Sequence, residues 1–77
     1  MKDTFGNPLA VGDIVAYSHG KSSRLFHYVV LKLGAKKIKI DQFDIKDGII
    51  APRSETRSWI TFSFVYPERV AKKNRIN

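Results

Sequence analysis

Cysteine is absent from the chain of 77 residues. Its absence excludes disulfide scaffolds, cysteine-bound zinc and thiol nucleophiles, and it fits a reducing compartment such as the cytoplasm. Histidine is scarce: His19 and His27 stand alone, at no spacing that would bind a metal. No apolar run approaches the roughly 18 residues that a membrane span needs, so no membrane contact is expected. The opening Met1-Lys2-Asp3-Thr4-Phe5-Gly6-Asn7-Pro8 lacks the apolar stretch of a signal peptide. No amphipathic helical repeat, internal repeat or low-complexity segment occurs. Acid is also in short supply, with 7 Asp and Glu against 14 Lys and Arg, a net charge of +7.

What is present is an ordinary globular composition, 43% hydrophobic and 27% charged. A domain this small buries only about 60% of the surface its unfolded chain exposes, so one simple core is expected. The apolar residues fall in short β-branched and aromatic runs punctuated by Gly, Pro, Asp, Asn and Ser, the pattern of a small all-β barrel or sandwich. Asp3 to Pro8 reads as an extended lead-in with a turn at Gly6-Asn7-Pro8. Ile14–Ser18 is the first strand, and Leu25–Leu33 is the longest. The latter is apolar on both faces in its middle, and so is central or bent. Gly34-Ala35-Lys36-Lys37 makes a tight hairpin into Ile38–Phe43, where Ile38 and Ile40 share one face and Lys39 and Asp41 the other. Asp44–Arg57 is a polar excursion in which Ile49-Ile50 pairs locally. Ser58–Val65 is the fourth strand. Its apolar face is expected to be Ile60, Phe62 and Phe64, turned inward, which leaves Trp59, Thr61, Ser63 and Val65 on the other side. A helical turn begins at Pro67, and Val70-Ala71-Lys72 closes the sheet. The expectation is a single domain over residues 1–77, with its core at about 9–72 and a flexible tail at 73–77.

Val11-Gly12-Asp13-Ile14-Val15 resembles the start of SH3-like barrels, notably KOW-type domains, in which a Gly-Asp turn leads into a strand with an inward valine. The subsequent order is similar too, down to Val65-Tyr66-Pro67-Glu68-Arg69-Val70 as the final turn and strand. One departure is Tyr28 before Val29-Val30, where KOW domains usually carry a glycine. The chain resembles small barrels of tailed bacteriophages over residues 9 to 72. The resemblance implies a five-stranded SH3-like barrel with one helical turn before its last strand. If the chain is phage-encoded, the location is the host cytoplasm.

Catalysis is not expected. His27, between Phe26 and Tyr28, reads as a partly buried structural residue. Asp41, Asp44 and Asp47 are spaced by three, but lysines dilute them and no Glu closes a calcium loop, so they read as a solvated strand end. No serine has a general base in view, and Gly34-Ala35-Lys36-Lys37 lacks the spacing of a phosphate loop. No enzyme activity, metal or cofactor follows from these residues.

The cations are the informative feature. The pI near 10.0 lies above the value of about 9 that marks many nucleic-acid binders. Lys36, Lys37 and Lys39 cluster at the hairpin, Lys21 and Arg24 flank the first loop, Arg53 and Arg57 lie in the excursion, and Lys72 and Lys73 close the chain. Trp59, beside Arg57, either stacks a base or covers the second face of the sheet. Together they point to a nucleic-acid partner gripped by its phosphates, DNA ahead of RNA, with little sequence preference. The alternatives are a solvated surface with no patch, a module that binds an acidic host protein, and a virion or assembly component.

Overall fold

A computed structural model describes residues 1–18, 25–56 and 59–73. Seven strands follow in order: β1 (Ile14–Tyr17), β2 (Phe26–Leu33), β3 (Ile38–Asp41), β4 (Phe43–Lys46), β5 (Ile49–Pro52), β6 (Phe62–Val65) and β7 (Ala71–Lys72). Single 3-10 turns at Arg53–Glu55 and Pro67–Arg69 precede β6 and β7. Five strands form one barrel-like antiparallel sheet in the order β6-β3-β2-β1-β7, and β4 and β5 form a separate two-stranded sheet. The fold is therefore all-β, with the expected five principal strands and a turn before the last. The β4-β5 hairpin, where Ile49-Ile50 is expected to pair locally, and the 3-10 turn at Arg53–Glu55 add to that plan. Among the described residues, no helix is long and apolar enough to cross a membrane.

β3 fixes the register. Its Ile38 and Ile40 are wholly buried, alongside Leu9, Val15, Tyr28, Val30, Val65 and Val70. Burying such a side chain stabilises the fold by about 1.5–3 kcal/mol. A one-residue slip of β3 would expose both isoleucines and drive Lys39 inward, so the alternation admits one pairing. β2 is central, as its two-sided apolar middle requires: Tyr28, Val29 and Val30 are all buried, and a bulge lies between Val30 and Lys32.

The face expected inward on β6 is the one that points out. Cross-strand partners share a face, and Val65 pairs with Ile38 while Phe64 pairs with Lys39. Val65 accordingly enters the core, and Phe64 is 58% exposed. Ile60 lies outside any strand and is exposed as well. The strand itself starts only at Phe62, and the expected first residue, Ser58, falls outside the described residues.

The third strand also ends earlier than expected, at Asp41. Asp41 is not a solvated strand end. It is fully buried, accepting hydrogen bonds from Thr61 Oγ1 at 2.6 Å and the Ser54 N–H at 2.8 Å. The chain then turns into β4 and back through Asp47-Gly48, with φ of 53° and 76°. Such a two-residue turn with positive φ at both positions suits a hairpin, and glycine adopts it without steric cost. His27 pairs with Ala16 and is exposed, not partly buried, because it occupies the outer face near the start of β2.

The lead-in is a closed loop and not an extended segment. Lys2 bridges Pro8, and the Asp3 N–H donates to the Asn7 carbonyl at 2.9 Å. Asp3 holds this loop on the barrel. One carboxylate oxygen accepts from the N–H of Phe5 (2.9 Å) and Asn7 (2.7 Å), and the other from the N–H of Lys72 on β7 (2.7 Å). Burial pushes the Asp3 carboxyl up, but the hydrogen bonds from Lys72, Asn7 and Phe5 outweigh it and hold it below its ordinary value. A carboxyl lowered in this way stabilises the fold at neutral pH and loses that contribution as the pH falls through its folded value. Asp3→Asn should therefore cost about 1–3 kcal/mol at neutral pH, by leaving buried N–H groups poorly matched. It should also flatten the loss of stability below about pH 5. Thermal melts from neutral to acid pH check both, and parallel curves for the two proteins would rule out the Asp3 contribution.

Candidate functional site

The outer face of the β2-β3-β6 part of the sheet is basic and aromatic. Lys32 pairs with Lys39, and Lys39 pairs with Phe64, which places the three side chains in one cross-strand row. The next row is Val29, Asp41 and Phe62. Beyond the first row, Ala35 and Lys36 form the tip of the β2-β3 hairpin, and the Gly34 N–H donates to the Lys37 carbonyl at 2.9 Å. Tyr66 follows β6 in extended conformation. An open groove of about 500 Å³ runs among these elements, lined by Lys32, Lys36, Lys37, Lys39, Phe64 and Tyr66 with Gly34 and Ala35.

Two lysines lie against rings. Lys39 Nζ sits 4.1 Å from the centre of the Phe62 ring, and Lys37 Nζ 4.9 Å from that of Tyr66. Such contacts are worth about 0.5–1 kcal/mol at exposed sites, enough to orient an ammonium group but not to neutralise it. Phe62 and Phe64 meet edge to face, with centroids 5.7 Å apart. Among the described residues, no acidic side chain lines the groove. Four lysines and two rings give the groove a mainly apolar lining with charge of one sign at its margins.

Of the sequence-derived candidates, the fold brings together Lys36, Lys37 and Lys39. Arg53 is committed elsewhere: its guanidinium donates to Asp44 Oδ1 through Nε (3.2 Å) and Nη2 (3.0 Å), and to Gln42 Oε1 through Nη1 (2.8 Å). Lys72 and Lys73 lie at the β7 edge, the opposite side of the sheet from β6. Lys72 Nζ pairs with the buried Asp13 at 3.4 Å and donates to the Pro8 carbonyl at 3.1 Å. Trp59 is 61% exposed and lies before the Phe62 end of β6, away from the hairpin lysines. Lys21, Arg24 and Arg57 fall outside the described residues. A second groove, of about 570 Å³, lies near β7 and mixes Glu68 and Arg69 with Phe5 and Leu25, so it carries no charge of one sign.

Sequence reasoning missed Lys32, Phe62, Phe64 and Tyr66. Lys32 was hidden by the bulge after Val30, which resets its phase against Lys39. The phenylalanines were hidden by the assumption that an alternating aromatic face points inward. The readable signal was Val65, a β-branched residue in register with Ile38.

Residues 1–73 match the family described as Domain of unknown function (DUF7205). No curated protein and no solved structure matches the chain.

The groove depends on the hairpin at Gly34. A Cβ there would stand 2.6 Å from the Lys37 carbonyl oxygen, a backbone atom. Gly34→Ala should therefore lower stability by about 1–3 kcal/mol and displace Lys36 and Lys37. A thermal melt and the backbone NMR shifts of residues 34–37 check this, and unchanged shifts would show that the turn has room for the methyl group.

Proposed function

We propose that this chain, which belongs to the DUF7205 family, is a small nucleic-acid-binding module that grips the phosphate backbone with little sequence preference. The observation that carries this reading is the cluster of lysines, Lys32, Lys36, Lys37 and Lys39, lining one groove with no carboxylate among its described lining residues. Successive phosphates meet successive cations there, and each phosphate neutralised releases condensed counterions. Among the described residues no helix is presented to a major groove, so direct base readout would depend on hairpins and loops.

A second reading, a protein-interaction module, is favoured by one observation: Trp59 and Ile60 are 61% and 75% exposed at the other end of β6. Large apolar side chains left in water are a common mark of a protein contact.

Fluorescence anisotropy with labelled DNA tests the first reading. Binding should weaken steeply with salt, with a log–log slope of about −3 to −4 on duplex if all four lysines contact phosphate. Replacing Lys36 and Lys37 with alanine together should flatten the slope by about 1.8. Lys73→Ala, at the far edge, should leave it unchanged. Absence of binding even at low salt would defeat the proposal. A partner captured from nuclease-treated lysate and lost with Trp59→Ala would favour the second reading.

A further inference from the structure

We infer that the lysine and aromatic groove takes single-stranded nucleic acid in preference to duplex, with bases stacked on Phe64 and Tyr66; this rests on the nucleic-acid reading above. Phosphate binding alone accounts for the lysines but not for the rings among them. Phe64 stands in the middle of β6, an edge strand, with 58% of its surface in water, and Tyr66 is 45% exposed. Both line the same groove as the four lysines.

The backbone spacing of Phe64 and Tyr66 separates the two forms of ligand. Residues two apart on an extended strand lie about 6.6–6.8 Å apart. That is about twice the 3.4 Å step between stacked bases in a duplex strand. Neighbouring bases reach both rings only when a strand is drawn out of its helical stack. A duplex keeps its base faces covered and offers phosphate and sugar at its surface, so Phe64 would desolvate the backbone with no π partner. A single strand offers every base face, and any base can stack on an aromatic ring.

The cations are placed for the same ligand. Lys32 and Lys39 lie in the cross-strand row that ends at Phe64, and Lys36 and Lys37 lie at the hairpin beside Tyr66. Phosphates on the lysine side and bases on the ring side use both chemistries of one extended strand. Lys37 Nζ lies over one face of Tyr66, so a base stacks on that face as the ammonium moves to a phosphate.

The test compares a labelled oligo(dT), an oligo(U) of equal length and a duplex of matched charge, by anisotropy on the full chain at one salt concentration. A single strand should bind tighter than the duplex. Phe64→Ala should weaken single-strand binding roughly five- to hundredfold while leaving duplex binding and its salt slope nearly unchanged. Phe64→Leu, which keeps apolar area on the strand but removes the π face, should behave like the alanine variant, and an unchanged melt confirms that both fold. The ratio of oligo(dT) to oligo(U) affinity shows which sugar is preferred, and either ratio supports the inference if both exceed duplex. Equal or tighter binding to duplex, or a neutral Phe64→Ala, overturns the single-strand inference while the backbone-binding reading stands. No binding to any of the three overturns both.

Discussion

The alternation of β3 is the constraint on which the rest of the molecule depends. Two wholly buried isoleucines, Ile38 and Ile40, flank Lys39 and fix which face of the strand enters the hydrophobic core. Hydrogen-bonded neighbours on both sides must then match. On β2 the match sets Val30 against Ile40 in the core and Lys32 against Lys39 outside. On β6 it sets Val65 inside and Phe64 outside. One decision about where two isoleucines go therefore builds the hydrophobic interior and, on the reverse of the same strands, the basic and aromatic groove. The candidate site is not an appendage to the fold but the other face of its register.

Carboxylates close the structure around that sheet. Asp3, Asp13 and Asp41 are 4%, 3% and 0% exposed. Each accepts from backbone N–H groups that would otherwise be buried without a partner: Asp3 from Phe5, Asn7 and Lys72, Asp13 from Ala10, Asp41 from Ser54. Charge-assisted hydrogen bonds of this kind are the strong ones, and a core this small gains much from them. Their use inside the fold has an electrostatic consequence outside. Asp13 still pairs with Lys72 at the surface, Asp44 is held by Arg53, and Asp47, Glu55 and Glu68 remain for the other surface cations.

The sequence was most legible where side-chain periodicity and turn chemistry agreed. The alternation of Ile38-Lys39-Ile40, the two-sided middle of β2, the Gly34 hairpin and the turn at Pro67 all follow from local rules, and the all-β plan follows from their order. It was least legible where tertiary pairing overrode hydrophobicity. Ile60, Phe62 and Phe64 form a cleaner apolar face than Val65 and Ser63, yet β6 must obey β3, because an edge strand has one neighbour and little core of its own. The buried aspartates were unreadable for a related reason. Asp3 meets Lys72 across the whole chain, and no local pattern encodes a contact of that span. Of the candidate cations, the hairpin lysines came together because adjacency in sequence ensured it. Arg53 and Lys72 did not join them because a carboxylate lay closer to each: Asp44 and Asp13.

The outward rings bear most directly on what the groove is for. Folding alone would be served at Phe64 by a threonine or valine, which suits an edge strand and exposes less apolar surface. An exposed Phe on an edge strand gains little burial and carries the hazard of edge-to-edge association. The four surrounding lysines repel one another, and two cation–ring contacts of about 0.5–1 kcal/mol each orient them without removing the repulsion. Neither the rings nor the lysines are therefore explained by stability. A polyanion relieves the repulsion, and a ligand that also carries exposed aromatic faces covers the rings. On the proposed reading, nucleic acid supplies both properties at every nucleotide, whereas an acidic protein surface supplies the second only where it carries exposed aromatic side chains.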